Sequence, residues 1–433
     1  MEILEQGTWV SWNENIKHPF EKLYKVTEET EIQDIIKNND NIRIFGNKQS
    51  SADICSGTKA IIDIKDYNKV IDYNNDLKQI TVQSGIKLAD LIETIEAYGW
   101  CIPCLPDINT ITIGGALATG THGTSGQILA DYAVNFRIIQ ADGSIIEVSK
   151  DDALIDAYRL SLGVLGVIST ITFQCVDKYT LHVKEAPAKD SDWLKDIKNK
   201  VKQHDFLRIL WLPHTGYGYQ IIGTKIPEDQ PINEKAGPSY LKHRRNTSVA
   251  LYKNTHKRPW FTFFANKILK RLFFSSKQEH KGSLYQATVT KSRGSTLELA
   301  EWTVDLEKFP ELFNELKTTI NSFKNDSFIH IPMDVRFVFK EKTWLSYAYG
   351  KDVVTMGCVC RNTAEADSYE AFKTVEKLFL KYGGRPHWAK RFEASDTEFS
   401  KIYPKWNDFK ALRRQVDPTN KFLNPYLKKI FNE

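Results

Sequence analysis

Cysteine is scarce: six in 433 residues, too few and too scattered for a disulfide scaffold. Cys101-Ile102-Pro103-Cys104 and Cys358-Val359-Cys360 form close pairs, but nothing at metal-ligand spacing completes a zinc site. The first pair enters a loop rather than opening a helix, so free thiols are expected in preference to redox chemistry. Long apolar runs are absent: no window approaches eighteen uncharged apolar residues, which excludes a transmembrane helix. The opening MEILEQGTWVSWNEN places acids and Trp where a signal peptide carries a basic and then an apolar stretch, and the expectation is a reducing, cytoplasmic location. Neither GxxxxGK[ST] nor a GxGxxG opening a helix after the first strand occurs, which argues against a P-loop NTPase or a Rossmann dinucleotide site. Internal repeats and low-complexity tracts are also lacking.

What remains is ordinary globular material, 41% apolar and 26% charged with 15 Pro and 23 Gly, long enough for two to three domains. The net charge of +5 is unevenly spread: residues 241–282 hold eleven Lys or Arg against one acid, Glu279, so the rest is net negative. Within this segment Lys257, Arg258, Lys267, Lys270 and Arg271 interleave with Trp260, Phe261, Phe263, Phe264, Leu272 and Phe273. That composition suits a peripheral membrane surface, or equally a helix packed on the body with snorkelling cations. No nucleic-acid-binding module accompanies it.

Residues 27–180 alternate short β-rich runs with helical patterns, as an α/β or α+β domain would. Ile32, Ile35 and Ile36 share one helix face, and NIRIFG reads as a strand ending at Gly46. AIIDI, KVIDY and QITVQSG are further strands, and Leu88, Leu91, Ile92 and Ile95 mark a helix that Gly99 can close. Near residue 181 a charged linker leads to RILWLPHTGYGYQIIG, the expected opening of a second domain.

Two loops are rich in glycine and small hydroxyl residues: Gly46-Asn47-Lys48-Gln49-Ser50, directly after a strand, and the stretch from Thr112 to Gly126 that contains Gly115, Thr119, Gly120, Thr121 and His122. Such loops let backbone N–H groups approach an anion, and two in one domain favour a large dinucleotide. His122 fits either a direct ligand contact or a loop-bracing donor. Leu162-Gly163-Val164-Leu165-Gly166-Val167-Ile168 lets a strand pass close to a flat ligand or another backbone. Farther on, strand alternation puts Asp334 and Arg336 on one face, either converging on a site or forming an ion pair. His387 and Lys390 follow a Gly-Gly-Arg-Pro turn. No metal is expected.

The ordered set VQSGIKLADL, IGGALATGTHG, LGVLGVI, PMDVRFV, GGRPHWAK and DPTNKFLNPYL resembles the aldonolactone oxidoreductases, the group of gulonolactone oxidase, arabinonolactone oxidase and galactonolactone dehydrogenase, from Trp9 to Phe431. The resemblance implies an α+β flavoprotein of the vanillyl-alcohol-oxidase type. Its divisions would be a two-subdomain FAD-binding domain at 15–180, an α/β substrate (cap) domain with an antiparallel sheet at 181–382 carrying the basic insertion, and a segment at 383–433 that completes the flavin site. Gly46–Ser50, Thr112–His122, Ile168 and, in the tail, Asn424 and Tyr426 would meet FAD. Many relatives have a flavin-tethering histidine where this chain has Gln49, so FAD is expected without a covalent bond. Asp334, one methylene shorter than the usual Glu, with Arg336, Lys390 and His387, would meet a sugar lactone. Alditol-oxidising relatives tend to read HWGK, so Ala389 leans toward lactones. The acceptor would be oxygen, with a quinone or cytochrome as the rival; a polyol oxidase and a flavin-binding protein without turnover are the remaining alternatives.

Overall fold

The computed structural model describes residues 1–233, 243–244, 246–247, 250–251, 261–288, 298–323, 332–360 and 366–433. Part of the basic segment 241–282, including Lys257, Arg258 and Trp260, lies outside the described residues.

Three sheets carry the fold. The first has the order Glu2–Val10, Lys17–Lys25, Ala60–Asp63, Ile42–Phe45, with the first pair antiparallel and the other two parallel. Its helix Glu29–Lys37 starts with a capping box between Glu28 and Glu31 and buries Ile32, Ile35 and Ile36, the face that the isoleucine spacing predicts. Those side chains pack with Ile42, Ile62 and Ile139. Strand Ile42–Phe45 delivers the chain to Gly46 at its carboxyl end, where ligands sit in sheets with parallel strands.

The second sheet is antiparallel, ordered Val70–Asn74, Gln79–Gln83, Val167–Gln174, Ala133–Ile139, Ile145–Ser149. Helix Leu88–Ala97 buries Leu88, Leu91, Ile92 and Ile95, and Gly99 follows it at φ +74, a left-handed closure that glycine adopts without steric cost.

The third sheet has eight strands, all antiparallel: Gln278–Ser283, Thr180–Lys189, Tyr217–Ile226, Phe206–Leu212, Met333–Val338, Val353–Cys360, Glu298–Asp305, Arg385–Pro386. Helix Phe309–Ser322 buries Phe309, Leu312, Phe313, Leu316 and Ile320, and Phe313 meets Trp193 and Trp211 edge-on. Two features of the sheets lie near the chain's ends. The first sheet begins at residue 2, ahead of residue 15, and Arg385–Pro386 gives the large sheet an edge strand from beyond residue 382.

The tail ties these parts together. Ile42 N–H donates to the Lys421 carbonyl, and Arg43 donates to the Phe422 carbonyl at 2.7 Å. Trp388 stacks against both Tyr403 and Trp406, with centroids 5.4 and 6.3 Å away. Helix Thr262–Phe273 buries Ala265, Leu269 and Phe273 while Phe264 and Leu272 stay exposed. One face of this helix therefore packs on the body. No described helix is long and apolar enough to cross a membrane.

Candidate active site

A cavity of about 570 Å³ is lined by both glycine loops, by Leu162–Ile168 and by the large sheet. Of the residues expected to meet a cofactor, Gly46, Asn47, Lys48, Gln49, Ser50, Thr112, Gly115, Thr119, Thr121, His122 and Ile168 line it; Gly120 and Asn424 do not. Gly120, at φ +69, instead offers its carbonyl to the Tyr347 hydroxyl at 2.6 Å. Asn424 caps helix Pro425–Phe431 and donates to the Asp53 and Ser56 carbonyls at 2.8 and 2.6 Å, bracing the loop behind the first cradle. Tyr426 also stays outside the lining, beside Phe392 at 6.0 Å.

The first loop is built to receive an anion. Lys48 turns the chain at φ +56, and among the described residues the backbone N–H groups of Asn47, Lys48, Gln49 and Ser50 have no acceptor. Successive unpaired N–H groups at such a turn form an anion-binding concavity. The second loop backs directly onto the first: a Cβ on Gly46 would run into the Thr112 side chain, and one on Gly114 would lie 2.9 Å from Ser84 Cβ. Arg43 also lines the cavity, and its buried Nε lacks a partner among the described residues. An extended diphosphate dinucleotide fits these residues: small-residue loops, open N–H groups and a guanidinium in one hollow.

The large sheet supplies charge. Pairing sets Leu210 beside Asp334, Asp334 beside Gly357 and Gly357 beside Glu301. The His387 N–H donates to the Glu301 carbonyl at 2.9 Å. Leu210, Asp334, Gly357, Glu301 and His387 thus form one row across the sheet, and all line the cavity. Lys390 joins the lining from the turn after Arg385–Pro386. This turn meets the first cradle, because Ser51 N–H donates to the Ala389 carbonyl at 2.8 Å.

Asp334 and Arg336 do share a face, within a four-membered network. Arg208 binds Asp334 through Nε and Nη2, both at 2.8 Å, and Asp107 through Nη1 and Nη2 at 3.0 and 2.7 Å. Arg336 Nε donates to Asp334 Oδ2 at 2.7 Å, and its Nη2 reaches both Asp107 and Asp334. Burial raises the Asp334 carboxyl, but Arg208 and Arg336 outweigh it and hold it below its usual range. Two cations balance two anions, as buried charges require. Arg336 Nη1 has no acceptor among the described residues and is not walled off, so the cavity keeps an open donor.

His122 has both ring nitrogens engaged: Nδ1 faces the Gly123 carbonyl at 2.8 Å and Nε2 faces Glu301 Oε1 at 2.9 Å. A carbonyl only accepts, so Nδ1 carries a proton, and a second proton must lie between Nε2 and the carboxylate. Burial pushes the Glu301 carboxyl up, but the charge and hydrogen bond of His122, with His387 and Lys390, hold it well below the usual range. His387 Nδ1 accepts the Ala389 N–H at 3.1 Å, leaving the proton of the neutral ring on Nε2. Ligand-type atoms of His122, Glu301 and His387 lie within 4.8 Å of one another. A metal-bound histidine gives its other N–H to an acceptor, whereas His387 receives one there; this wiring is that of a hydrogen-bonded acid–base cluster.

The sequence reading missed Glu301, Asp107 and Arg208. None stands in a recognisable motif; strand pairing brings Arg208 and Glu301 into the sheet of Asp334, and a loop brings Asp107. Burial pushes the thiols of Cys55 and Cys104 up to about 12 and that of Cys101 to about 11, far from the reactive range.

Comparison with known proteins agrees with this geometry. Residues 21–149 match an FAD binding domain family, and residues 171–430 match the D-arabinono-1,4-lactone oxidase family. L-gulonolactone oxidase of Mus musculus is 28% identical over 95% of each chain, and L-gulono-1,4-lactone dehydrogenase of Mycobacterium tuberculosis is 28% identical over 98% of each. Cholesterol oxidase from Brevibacterium sterolicum superposes with a TM-score of 0.79 at 14% identity, covering 99% of this chain and 97% of its own, which establishes a shared fold. With an FAD-binding domain in front and a match spanning more than half of its length behind, the chain belongs to the D-arabinono-1,4-lactone oxidase family of FAD-dependent oxidoreductases.

Proposed function

We propose that the protein oxidises a sugar-1,4-lactone of the gulono-, galactono- or arabinono- type at the carbinol next to the carbonyl, and that oxygen takes the electrons to give hydrogen peroxide. One observation carries this reading: the anion-receiving cradle and the ionised row of the large sheet line a single cavity. Bound FAD would supply the two-electron acceptor. Gly46–Ser50, Thr112–His122 and Ile168 would hold it, with Arg43 beside them. Gln49 has no nucleophilic nitrogen to form a tether, so attachment is non-covalent. We assign residues 15–180 to cofactor binding, 181–382 to the cap and 383–433 to completing the site.

The chain's own groups then divide the work. Arg336, fixed by Asp107 and Asp334, presents its open Nη1 where negative charge grows during oxidation, and a fixed donor lowers such a barrier. Lys390 holds the reacting hydroxyl or takes its proton; as a base it has to be neutral first. His387 directs its Nε2 proton toward a substrate oxygen.

The acceptor is the open branch of this reading. A dehydrogenase using a quinone or cytochrome, docked at a membrane through 241–282, is the second version, favoured by the exposed Phe264 and Leu272 beside Lys270 and Arg271. An anaerobic screen of lactones and polyols that follows loss of flavin absorbance, repeated in air with peroxide detection, tests the whole proposal. Lactone-driven bleaching with peroxide supports the oxidase. Bleaching without peroxide supports the dehydrogenase, bleaching by polyols alone an alditol oxidase, and none at all a flavin-binding protein without turnover.

A further inference from the structure

We propose that the carboxylate receiving a substrate hydroxyl is Glu301, and that Asp334 is a positioning residue for Arg208 and Arg336. The inference rests on the lactone reading and deepens it.

The argument is a count of acceptor sites. Asp334 Oδ1 takes Arg208 Nε; Oδ2 takes Arg208 Nη2 and two donors of Arg336. Asp107 is filled in the same way by Arg208 and Arg336. A carboxylate bound by two bidentate guanidinium groups has little left for a neutral hydroxyl. Glu301 differs. Its Oε1 takes His122 Nε2, whereas Oε2 has no protein donor among the described residues and is absent from the buried, unpaired atoms. The side chain is 13% exposed and lines the cavity, so this oxygen opens into it.

Position agrees with chemistry. Glu301 and Asp334 flank Gly357 in one row. A Cβ on Gly357 would lie 3.9 Å from both Asp334 Cβ and Glu301 Cδ, so the missing side chain leaves a notch between the two acids. An ionised oxygen at the edge of that notch suits a sugar lactone, whose hydroxyls are donors. The groups facing Glu301 are His122 from the second loop, His387 and Lys390 from the turn, and Arg336 and Tyr347, whose charged forms also feel it.

The test uses the FAD-loaded protein and its Glu301→Gln variant. Glutamine can keep the bond to His122 by donating to a neutral ring. Lactone dissociation constants are read anaerobically from the saturation of the flavin-reduction rate with lactone concentration in stopped flow, and FAD affinity from flavin fluorescence. Loss of a charged acceptor should weaken lactone binding about 10- to 100-fold, with FAD affinity nearly unchanged. Across a series of lactones each lacking one hydroxyl, the penalty should vanish for one member, as a double-mutant cycle requires. Glu301→Asp, which retracts the carboxylate, should lose affinity with the same hydroxyl dependence and covers the case in which the amide fails to fold. Equal penalties for every lactone, no penalty, or a parallel fall in FAD affinity would overturn the assignment. Wild-type protein that binds no lactone would instead sink the reading beneath it.

Discussion

Two side chains are decisive for the proposed reaction. Gln49 lines the first cradle, and an amide has no nucleophilic nitrogen with which to tether a flavin. Acid precipitation of the holoprotein should therefore leave the yellow colour in the supernatant; colour retained in the pellet would contradict non-covalent attachment. Lys390 is the second. Lys390→Met should slow anaerobic flavin reduction about 100-fold or more if the amine takes part in proton transfer, and an unchanged rate in a stopped-flow trace would remove it from the chemistry. Most loop residues that line the cavity were legible in the chain because glycine and small hydroxyl residues cluster in sequence where a backbone comes close to another group. Glu301 was not. It stands on an ordinary strand, and its partner His122 is 179 residues away, so no local pattern could announce the pair. Gly120 and Asn424 show the converse: a motif marked both as cofactor contacts, yet each is spent on bracing the loops.

At the level of loops and strands, close approach is the governing constraint. Adding one methyl at Gly46 forces the two cradles apart, because that carbon meets the Thr112 side chain. Overpacking of this kind costs about 1–3 kcal/mol, so Gly46→Ala should weaken FAD binding roughly tenfold or more, seen as a lower ratio of flavin to protein absorbance after purification. Gly357→Ala should behave differently. Its new carbon meets only ordinary 3.9 Å contacts, so the melting temperature should barely move while the KM for a lactone rises as the notch fills. A melting temperature that fell with activity would show that Gly357 is needed for the backbone instead. Helices with a clear isoleucine or leucine face were readable from periodicity. Strand Glu2–Val10 was not, because it is exposed along most of its length and shows no alternation. Arg385–Pro386 is too short to leave a pattern and becomes a strand only by pairing with Glu298–Asp305.

Across the whole molecule, buried acids outside the cavity set how stability follows pH. Burial pushes the Glu341 carboxyl up to about 8 and that of Glu376 to about 7, from 4.5. Below 4.5 both groups are protonated whether the chain is folded or not. As pH rises above that value the unfolded chain releases protons that the native state still holds, so stability falls up to about 7 and 8. Glu301 and Asp334, held below their ordinary values, act with opposite sign and lose their contribution as the medium turns strongly acidic. Holoprotein melting temperatures should therefore be highest in mildly acidic buffer, and Glu341→Gln should raise the value near pH 8.5 by more than near pH 5, to about the extent of its shift. Equal changes at both would show that Glu341 does not titrate in this window.

Because the row proposed to meet the substrate lies on rungs of one ladder, and the loops proposed to grip the nucleotide come from a different part of the chain, the two can diverge separately. On the proposed reading, single replacements at 210 or 357, which hold no ion pair, should shift which sugar is accepted while the flavin chemistry stays intact, a division of labour that leaves the scaffold free to be repurposed.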